Sequence, residues 1–398
     1  MKILIVSSKF PYPAKDGGAL AIKNMCEQLA KRGHKIKFLA VETDKHPVTE
    51  VPVIENIDFE TVYVNTNLKL IQLILNLLFS TLPYIAVRFF SAALEAKVTE
   101  ALKKETYDWV LLEGLYVAYL IEVIKRVWKG KIIVRAHNVE HKIWERKLAH
   151  EKNLFKKFYL KSMVKRLQKY EIKKLSETDW ILTITPEDSE IIKELGINTE
   201  TYVVPFGIDT ENYQAADLND TNLEFIGALD WMPNEEGLLW FLDNVWSTLK
   251  NTHLKFFVAG RNATQALSEK LKGIPSVEFL GEVDDAQKFI LSHGVFIVPL
   301  LTGSGMRVKI IEAMALGRLV ISTSIGIEGI DAVPGEHFVL ADSPEEWITA
   351  IKNITSHQEL ARNIALKGKN FVEKHFSNEI IYEQLDLKLQ KITKPSSK

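Results

Sequence analysis

The sequence predicts an α/β fold composed of two doubly wound parallel-sheet domains. Its 398 residues exceed what one ordinary core accommodates, which favours two or three domains. Short apolar runs alternate with helical lengths twice along the chain, and an acidic, polar stretch at 210–222 separates the two series. We therefore predict one domain at residues 1–200, a second at 201–375 and a further segment at 376–398.

The first series of elements starts at the N-terminus. Residues 3–6 form a continuous apolar run, which is typical of a central parallel strand covered on both faces. A loop containing Gly17 and Gly18 leads to a predicted helix at 19–32, which Gly33 ends. Further strands are predicted at 35–41, 109–112, 131–134 and 180–185, with a strand end at 203–209 and helices at 117–128 and from 138 to about 176.

The second series has the same alternation. Short apolar strands separated by helical lengths are predicted at 223–226, 254–258, 277–280, 295–299 and 319–322. Parallel strands need long crossover connections, which are usually helices. The alternation therefore predicts a second doubly wound sheet.

One apolar segment tests the prediction of a soluble fold. Residues 70–87 are uncharged but include Gln72, Asn76 and Pro83, and Pro83 would break a helix near its end. The leading interpretation is a helix buried in the core. The alternatives are a helix lying on a membrane surface and, least favoured, a transmembrane helix.

Composition and charge restrict the class of protein. Apolar residues make up 46%, charged residues 25% and aromatic residues 10%, a globular balance that rules out disorder, collagen and coiled coil. The net charge of −1 argues against a general nucleic-acid binder. However, residues 1–200 carry 32 Lys and Arg against 25 Asp and Glu (+7), and residues 201–398 carry 18 against 26 (−8). The two halves are expected to face different partners.

The cysteine content and the N-terminus indicate the compartment. The single cysteine, Cys26, excludes an internal disulfide and a thiolate metal cluster. The apolar run at the N-terminus is too short for a signal peptide. We therefore expect a cytoplasmic protein.

A basic segment lies in the long predicted helix. Residues 142–174 contain twelve Lys and Arg against three Glu, with interleaved aromatic and aliphatic residues. This pattern fits either a solvated helix face or a surface that meets an anionic ligand or membrane.

Ligands of open parallel sheets bind beyond the carboxyl ends of the strands, and three places there carry candidate groups. The first is the pair Gly17 and Gly18. Two glycines allow a ligand close to the backbone, and the following helix offers free N–H groups that suit a diphosphate. A loop that merely needs positive φ explains the pair equally well, and no G-x-G-x-x-G follows the first strand.

The second place is residues 135–141, directly after a predicted strand. His137 to His141 fits H-x-x-E-H, a zinc-protease signature, with Glu140 between the histidines. That site needs both histidines inside one helix and a third ligand, whereas His137 sits at a strand end. The alternatives are that His137 points into a cleft as a hydrogen-bonding group or is merely structural.

The third place, residues 300–317, is the richest in chemical groups. Six of the 20 glycines lie within the 33 residues 303–335, which marks tight backbone around a ligand. Loop amides and a helix N-terminus form an anion site, to which Arg307 and Lys309 add charge. The carboxylate of Glu312 can accept two sugar hydroxyls. There is no D-x-D for Mg²⁺ or Mn²⁺, no P-loop and no G-x-S-x-G.

Residues 303–317, followed by Val-Ile-Ser-Thr at 320–323, resemble the nucleotide-sugar signature of the family 4 glycosyltransferases of the GT-B fold. The Gly17–Gly18 pair, the His137 motif, residues 204–209 and the strand end at 225–227 occur in matching order, so the resemblance covers nearly the whole chain. It implies a retaining transferase with two Rossmann-like domains facing a cleft. The donor would lie on the second domain and the acceptor on the first, and the segment 376–398 would cross back to the first domain.

The resemblance also implies roles for individual residues. Glu312 would hold the ribose, Arg307 and Lys309 would neutralise the diphosphate, and His137 would lie beside the donor sugar. Main-chain groups at 281–283 would line the base, and Gly18 would sit under the donor phosphate. The predicted catalytic residues are His137 and Arg307. The predicted donor-binding residues are Gly17, Gly18, Gly227, Gly281, Glu282, Val283, Gly303, Ser304, Gly305, Met306, Arg307, Val308, Lys309 and Glu312.

Three positions depart from the family pattern. Ser304 replaces the usual glutamate eight residues before Glu312, which affects contacts to the donor sugar. Residues 228–231 replace the usual Arg and Lys after Gly227, which suggests that Arg307 and Lys309 carry the phosphate charge instead. Phe206 replaces the usual asparagine before Gly207. We interpret these differences as subfamily variation.

The sequence thus predicts a cytoplasmic, metal-independent glycosyltransferase that uses a nucleotide-sugar and no other cofactor in cell-surface glycan synthesis. The expected acceptor is a saccharide or a lipid-linked saccharide, and the basic first domain is expected to meet an anionic membrane surface, with no nucleic-acid partner. Two alternatives stay open: a non-catalytic GT-B subunit that binds sugar or nucleotide, and a zinc hydrolase that uses His137 and His141.

Overall fold

The computed structural model describes residues 1–14, 17–216, 218, 220–249, 253–303 and 305–393. The chain divides into two compact units. Unit 1 comprises Met1–Phe206 and Gln384–Lys398, and unit 2 comprises Gly207–Glu383.

Unit 1 is built on a parallel sheet. Its strands are β1 (Lys2–Ser7), β2 (Lys35–Glu42), β3 (Ile57–Tyr63), β4 (Trp109–Glu113), β5 (Lys131–Ala136), β6 (Trp180–Thr183) and β7 (Thr201–Val203). Their order in the sheet is β3-β2-β1-β4-β5-β6-β7. The helices are α1 (Gly17–Lys31), α2 (Leu70–Phe79), α3 (Tyr84–Val87), α4 (Ala92–Lys104), α5 (Leu120–Val127), α6 (Glu140–His150), α7 (Leu154–Ser176) and α8 (Pro186–Glu194).

Unit 2 repeats this architecture with fewer strands. They are β8 (Leu223–Ile226), β9 (Phe256–Ala259), β10 (Val277–Gly281), β11 (Val295–Val298), β12 (Leu319–Ser322) and β13 (Val339–Leu340). Their order is β10-β9-β8-β11-β12-β13, again parallel. The helices are α9 (Met232–Phe241), α10 (Ser247–Leu249), α11 (Gln265–Lys272), α12 (Ala286–Leu291), α13 (Val308–Ala315), α14 (Ser324–Ile327), α15 (Pro344–Ser356), α16 (Gln358–His375) and α17 (Asn378–Thr393).

The central strands explain why both sheets are buried on two faces. Residues 3–6 of β1 are fully buried, and Ile5 lies opposite Phe38 of β2 and Leu111 of β4. Such continuous apolar strands require helices on both faces. The predicted α/β fold with two doubly wound parallel sheets is therefore confirmed.

The unit boundaries differ from those expected at residues 200 and 375. The first lies after Phe206 because β7 pairs with β6 and so belongs to the sheet of unit 1. The last lies within α17, whose residues from Gln384 onward belong to unit 1. There Asp386 accepts a hydrogen bond from His34 at 2.7 Å.

Other elements also differ from the sequence prediction. The long helix expected from 138 to 176 is two helices, α6 and α7, because the Asn153 side chain accepts a hydrogen bond from the N–H of Lys156 and starts a new helix. Strands β3 and β13 were not predicted. Helix α1 starts at Gly17, so the glycine pair forms its first turn instead of a loop before it.

The prediction of a core helix at residues 70–87 is wrong for residues 70–79, whereas Tyr84 and Ala86 of α3 are buried. Helix α2 forms at residues 70–79, but none of its residues is buried within the described part of the chain. None of the helices in the described ranges combines the length and apolarity that a bilayer span requires.

Candidate functional site

The loop before α13 places Arg307 by its backbone conformation. Gly303 and Gly305 have φ of 128° and 83°, values that side-chain-bearing residues rarely adopt. A Cβ atom on Gly303 would lie 2.7 Å from the Arg307 guanidinium, so a larger residue there would displace that group. Ser304 lies outside the described residues, and Met306 is half-buried.

Arg307 is the residue immediately before α13, and its side chain is buried. Its guanidinium donates to the carbonyl oxygen of Gly305 and lies 5.7 Å from the ring centre of Trp231. This arrangement holds the charge at the N-terminus of α13, where the positive end of the helix dipole also favours an anion.

Lys309 reaches from the first turn of α13 to the carboxyl end of β8. Its ammonium donates to the carbonyl of Ile226 and to Oδ1 of Asn234, both at 3.2 Å. A Cβ atom on Gly227 would lie 2.6 Å from Nδ2 of Asn234, so the glycine makes room for this contact. Burial and the neighbouring charge of Arg307 lower the pKa of Lys309 to about 7.

Lys309 therefore supplies a positive group beside Gly227, where the family's usual Arg and Lys are replaced. That Arg307 and Lys309 take over the phosphate charge stays a prediction. Burial removes water from the Lys309 ammonium and so makes its charged form less favourable. A bound anion would offset this loss.

Glu312 lies one turn further along α13 than Lys309. Tyr213 donates a hydrogen bond to Oε1 of Glu312 at 2.9 Å. Burial raises the pKa of Glu312 above its usual value, and the bond from Tyr213 acts against that shift. The two lone-pair-bearing oxygens suit the hydroxyl groups of a ribose.

The expected base-lining residues sit on another strand. Gly281 ends β10, the edge strand, with a φ of 70°, and its carbonyl accepts from the N–H of Gly260 at 2.7 Å. Glu282 is exposed and Val283 half-buried. These residues share the carboxyl edge with Gly227 but lie two strands away from it. Their role in binding a base stays a prediction.

In unit 1, the candidate group lies where β4 and β5 end. His137 Nε2 and Oε2 of the buried Glu113 are 2.7 Å apart, and Oε1 of Glu113 lies 3.5 Å from Arg135. Burial alone would raise the pKa of Glu113, but Arg135 and His137 lower it below its usual value. Burial lowers the pKa of His137, although Glu113 favours its charged form.

The 2.7 Å contact with Glu113 links the two protonation states. The lowered pKa of His137 favours a neutral imidazole at pH 7, and an ionised Glu113 only accepts hydrogen bonds. In that state Nε2 of His137 carries the proton, and Nδ1 is an acceptor.

The two histidines of the H-x-x-E-H pattern form hydrogen bonds with different residues. His141 is fully buried, and its Nδ1 lies 2.5 Å from Glu171, whereas His137 pairs with Glu113. Helix α6 begins at Glu140, so His137 lies outside it. Among the described residues, no group of three or more His, Cys, Asp or Glu is placed to hold a metal ion. The geometry gives the zinc alternative no support.

A cavity of about 290 Å³ opens at the carboxyl edge of the unit 1 sheet. Gly18 and His137, two residues selected from sequence, both line it. Glu140 lines it too, and Tyr116 donates to that carboxylate at 2.7 Å. Burial raises the pKa of Glu140 to about 7. The cations around this cavity are Lys9, Lys45 and Arg88.

Gly17 precedes Gly18 in the first turn of α1, and a Cβ atom there would meet no described heavy atom within 4 Å. Packing within the described chain therefore does not require glycine at this position. Close approach of a ligand to the helix N-terminus remains the prediction for both glycines.

Several residues of both sites were missed from sequence. Tyr213, Trp231 and Asn234 contact Glu312, Arg307 and Lys309 from distant segments, and no spacing signals such contacts. Glu113 did carry a signal, because it is an acid that ends a wholly apolar strand at the carboxyl edge.

Two protein families match the sequence. Residues 15–212 match the family described as Glycosyltransferase Family 4, and residues 220–357 match Glycosyl transferases group 1. Together these matches span most of both units. The chain therefore belongs to the family 4-like glycosyltransferases of the GT-B fold, which confirms the family predicted from sequence.

One curated protein and several solved structures are also similar to this chain. An uncharacterized 44.6 kDa protein in the cps region of Klebsiella pneumoniae is 28% identical over 400 residues, which span 96% of this chain and 98% of that protein. The Anabaena protein HepE in complex with UDP has a TM-score of 0.70 and 13% identity, covering 98% of this chain and 100% of its own. Sucrose-phosphate synthase from Thermosynechococcus elongatus has a TM-score of 0.70 and 16% identity, covering 98% and 99%. The structural likenesses establish the fold.

Proposed function

We propose that this protein is a retaining, metal-independent glycosyltransferase that moves a sugar from a nucleotide-sugar to a saccharide or lipid-linked acceptor. The observation that carries the proposal is the grouping of Arg307, Lys309 and Glu312 on the first turns of α13, in a chain of a glycosyltransferase family. Unit 2 binds the donor, and unit 1 contributes His137 and the acceptor cavity. HepE, which shares the fold, has been solved with UDP and with UDP-glucose, which supports a nucleotide-sugar donor.

The electrostatics of unit 2 suit departure of a nucleoside diphosphate. Negative charge grows on the phosphate oxygens as the bond to the sugar breaks. The guanidinium of Arg307, the ammonium of Lys309 and the N–H groups at the start of α13 stabilise that charge. Because these groups supply the positive charge, the proposed reaction uses no metal ion.

In the proposed step, an acceptor hydroxyl oxygen bonds to the anomeric carbon as the bond from that carbon to the phosphate oxygen breaks. The hydroxyl proton passes to the departing phosphate on the same face of the sugar, so the configuration is retained. Proton NMR of the first product distinguishes this step from inversion. An inverted product would contradict it and would favour the paired His137 and Glu113 as the base.

His137 is proposed to contact the donor sugar through its acceptor Nδ1 atom. Glu113 fixes the tautomer and Arg135 keeps Glu113 ionised, so both act by positioning His137. The cavity beside His137 is proposed to hold the acceptor hydroxyl.

The biological setting is proposed from two observations. A relative of this chain is described as lying in a cps region, which supports a role in cell-surface polysaccharide synthesis. The basic unit 1 and the single cysteine support a cytoplasmic reaction at the inner face of an anionic membrane.

Thermal unfolding tests the donor site. The purified chain is heated with UDP, GDP, ADP, CMP, zinc or EDTA, one at a time. A ligand at about one hundred times its dissociation constant adds about 2.7 kcal/mol to the free energy of unfolding, which raises Tm measurably. We expect one nucleoside diphosphate to raise Tm, which also identifies the base, and Arg307→Ala to lose most of that shift.

The matched control is Lys255→Ala, an exposed lysine of unit 2 paired with Glu278, which should keep the full shift. Destabilisation by EDTA without any nucleotide effect would contradict the proposal and revive a metal site. Nucleotide binding without release of diphosphate from any nucleotide-sugar would favour the alternative of a non-catalytic subunit.

A further inference from the structure

Helix α2 is held in place by its backbone instead of by buried side chains. The N–H of Lys69, just before the helix, donates to the hydroxyl of the buried Tyr84 at 3.2 Å. Near the other end, Arg166 of α7 donates to the carbonyls of Asn76 and Leu77 at 2.9 and 2.7 Å. The protein thus fixes α2 at both ends without burying any of its residues among those described.

The apolar stripe of α2 faces away from the protein. Its members occur at spacings of three and four residues, which places them on one face, and they are Ile71, Ile74, Leu75, Leu78 and Phe79. All are exposed, from 46% for Ile74 to 82% for Phe79. A surface helix normally turns such a stripe toward the core. Here the half-buried side is formed by Leu73, Asn76 and Leu77.

The first turns of α7 extend this surface. Helices α2 and α7 are in contact through Arg166, and Leu154, Phe155 and Phe158 at the start of α7 are 72–89% exposed. Leu154 and Phe158 share one outward face with Lys161, Lys165 and Lys169, because their spacings are four, three, four and four residues. The apolar part of α7 therefore runs directly into a basic stripe.

The charge on this surface is not balanced by neighbouring acids. Six lysines in or next to the first half of α7 are exposed, and none of their ammonium groups has an acidic partner among the residues the structure describes. They are Lys152, Lys156, Lys157, Lys161, Lys165 and Lys169. An apolar stripe bordered by unpaired lysines complements a surface that is apolar inside and negatively charged outside.

We propose that α2 and the start of α7 form a docking face for an anionic lipid bilayer. The stripe of α2 and the aromatic residues of α7 enter the boundary between head groups and acyl chains, and the lysines contact the lipid phosphates. We call these residues the lipid face. The inference deepens the proposed function by naming its membrane partner, and it rests on that function only for its biological setting.

Vesicle flotation of the full chain tests the lipid face. The probes are vesicles of phosphatidylcholine alone and of phosphatidylcholine with about one third phosphatidylglycerol, at low and high salt. We expect binding to the anionic vesicles, at least tenfold weaker binding to the neutral ones, and weakening by salt because the lysine contacts are screened. Absence of binding to anionic vesicles at low salt would overturn the proposal.

Two pairs of variants assign the binding to particular residues. Ile71→Ser with Leu78→Ser should reduce binding at least tenfold, whereas the matched control Leu366→Ser, an exposed leucine of α16, should not. Lys161→Glu should reduce binding to anionic vesicles, whereas Lys272→Glu in unit 2 should leave it unchanged. Variants of the lipid face that bind vesicles like the wild type would overturn the proposal. So would variants that change only the oligomeric state, because the face would then be a protein interface.

The rise in Tm caused by the nucleotide is a second measurement, which tests the proposed function independently of the lipid face. Variants of the lipid face should retain that rise, which also shows that they fold. Vesicle binding without any nucleotide effect would leave the lipid face standing and count against the transferase. A nucleotide effect without vesicle binding would support the transferase and count against the lipid face.

Discussion

Lys309 shows how one residue of the proposed donor site combines charge with burial. Its ammonium lies against the carbonyl of Ile226, and burial together with Arg307 lowers its pKa to about 7. A bound diphosphate favours the charged form, so the ligand must raise this pKa. By linkage, the affinity for the nucleotide falls as the pH rises through the pKa of the free protein.

We therefore predict that the nucleoside diphosphate with the largest effect on Tm binds more weakly at pH 8.5 than at pH 6.5. The loss approaches roughly tenfold per pH unit above the pKa of Lys309, measured by titration calorimetry. Lys309→Arg keeps its charge over this range and should flatten the dependence. An affinity of the wild type that is constant with pH would remove Lys309 from the diphosphate site.

Arg307 is predicted to act on the transition state as well as on binding of the nucleotide. Arg307→Ala should lower transfer, measured as release of nucleoside diphosphate, by about a hundredfold or more, because one charge-assisted contact to the leaving group is lost. Lys255→Ala is the control on the same unit. A rate of Arg307→Ala equal to the wild type would exclude Arg307 from catalysis.

His137 depends on one residue distant in the sequence, Glu113, and on one that is only two residues away, Arg135. Glu113 comes from the end of β4 and Arg135 from β5, and together they set the protonation of the imidazole. His141, only four residues away, is instead tied to Glu171 of α7. The two histidines of the H-x-x-E-H pattern therefore have different surroundings. His137 lines the cavity, and His141 lies in the core.

At the scale of elements, helical periodicity located α2 but did not show what its apolar stripe faces. An outward stripe and an inward stripe have the same sequence pattern, and only the packing of α2 against Tyr84 and Arg166 decides between them. Strand β3 was missed for a related reason. It is an edge strand whose residues, except Val62, remain at least partly exposed, so it lacks the continuous apolar run that identified β1.

The division of the basic segment into α6 and α7 followed from local chemistry. The side chain of Asn153 caps α7, and the buried Glu171 accepts hydrogen bonds from the N–H groups of Glu140 and His141 at the start of α6. The cap is a short-range signal, whereas the Glu171 contact joins segments about thirty residues apart and carries no signature in the sequence.

At the scale of the whole molecule, the charge asymmetry corresponds to the two units, for which we propose different ligands. The positive half contains the cavity and the lipid face, and the negative half contains a local cluster of cations at α13. Unit 2 is negatively charged overall, and so is its proposed ligand. Arg307 and Lys309 make the charge positive locally at the start of α13. We expect the nucleoside diphosphate to act on the start of α13 in unit 2 and the anionic bilayer to act on the lipid face in unit 1.

Amide hydrogen exchange tests this separation. The nucleoside diphosphate should slow exchange at 305–315 in unit 2, and anionic vesicles should slow it at 69–79 and 152–158 in unit 1, because binding suppresses local opening. Neutral vesicles are the control and should not slow exchange at 69–79 and 152–158. Protection of 69–79 by the nucleotide alone would contradict independent action of the two ligands.

The two parallel sheets, the family and the glycine-rich loop before α13 were all recoverable from sequence. Apolar runs, helix starts and clustered glycines are local features, and they determine which elements form and where the backbone adopts positive φ. The partners of the functional residues were not recoverable: Glu113 with His137, Tyr213 with Glu312, Asn234 with Lys309 and the outward stripe of α2. These contacts join segments 24 to 99 residues apart, and burial depends on what lies beside an element in space, so only the tertiary structure decided them.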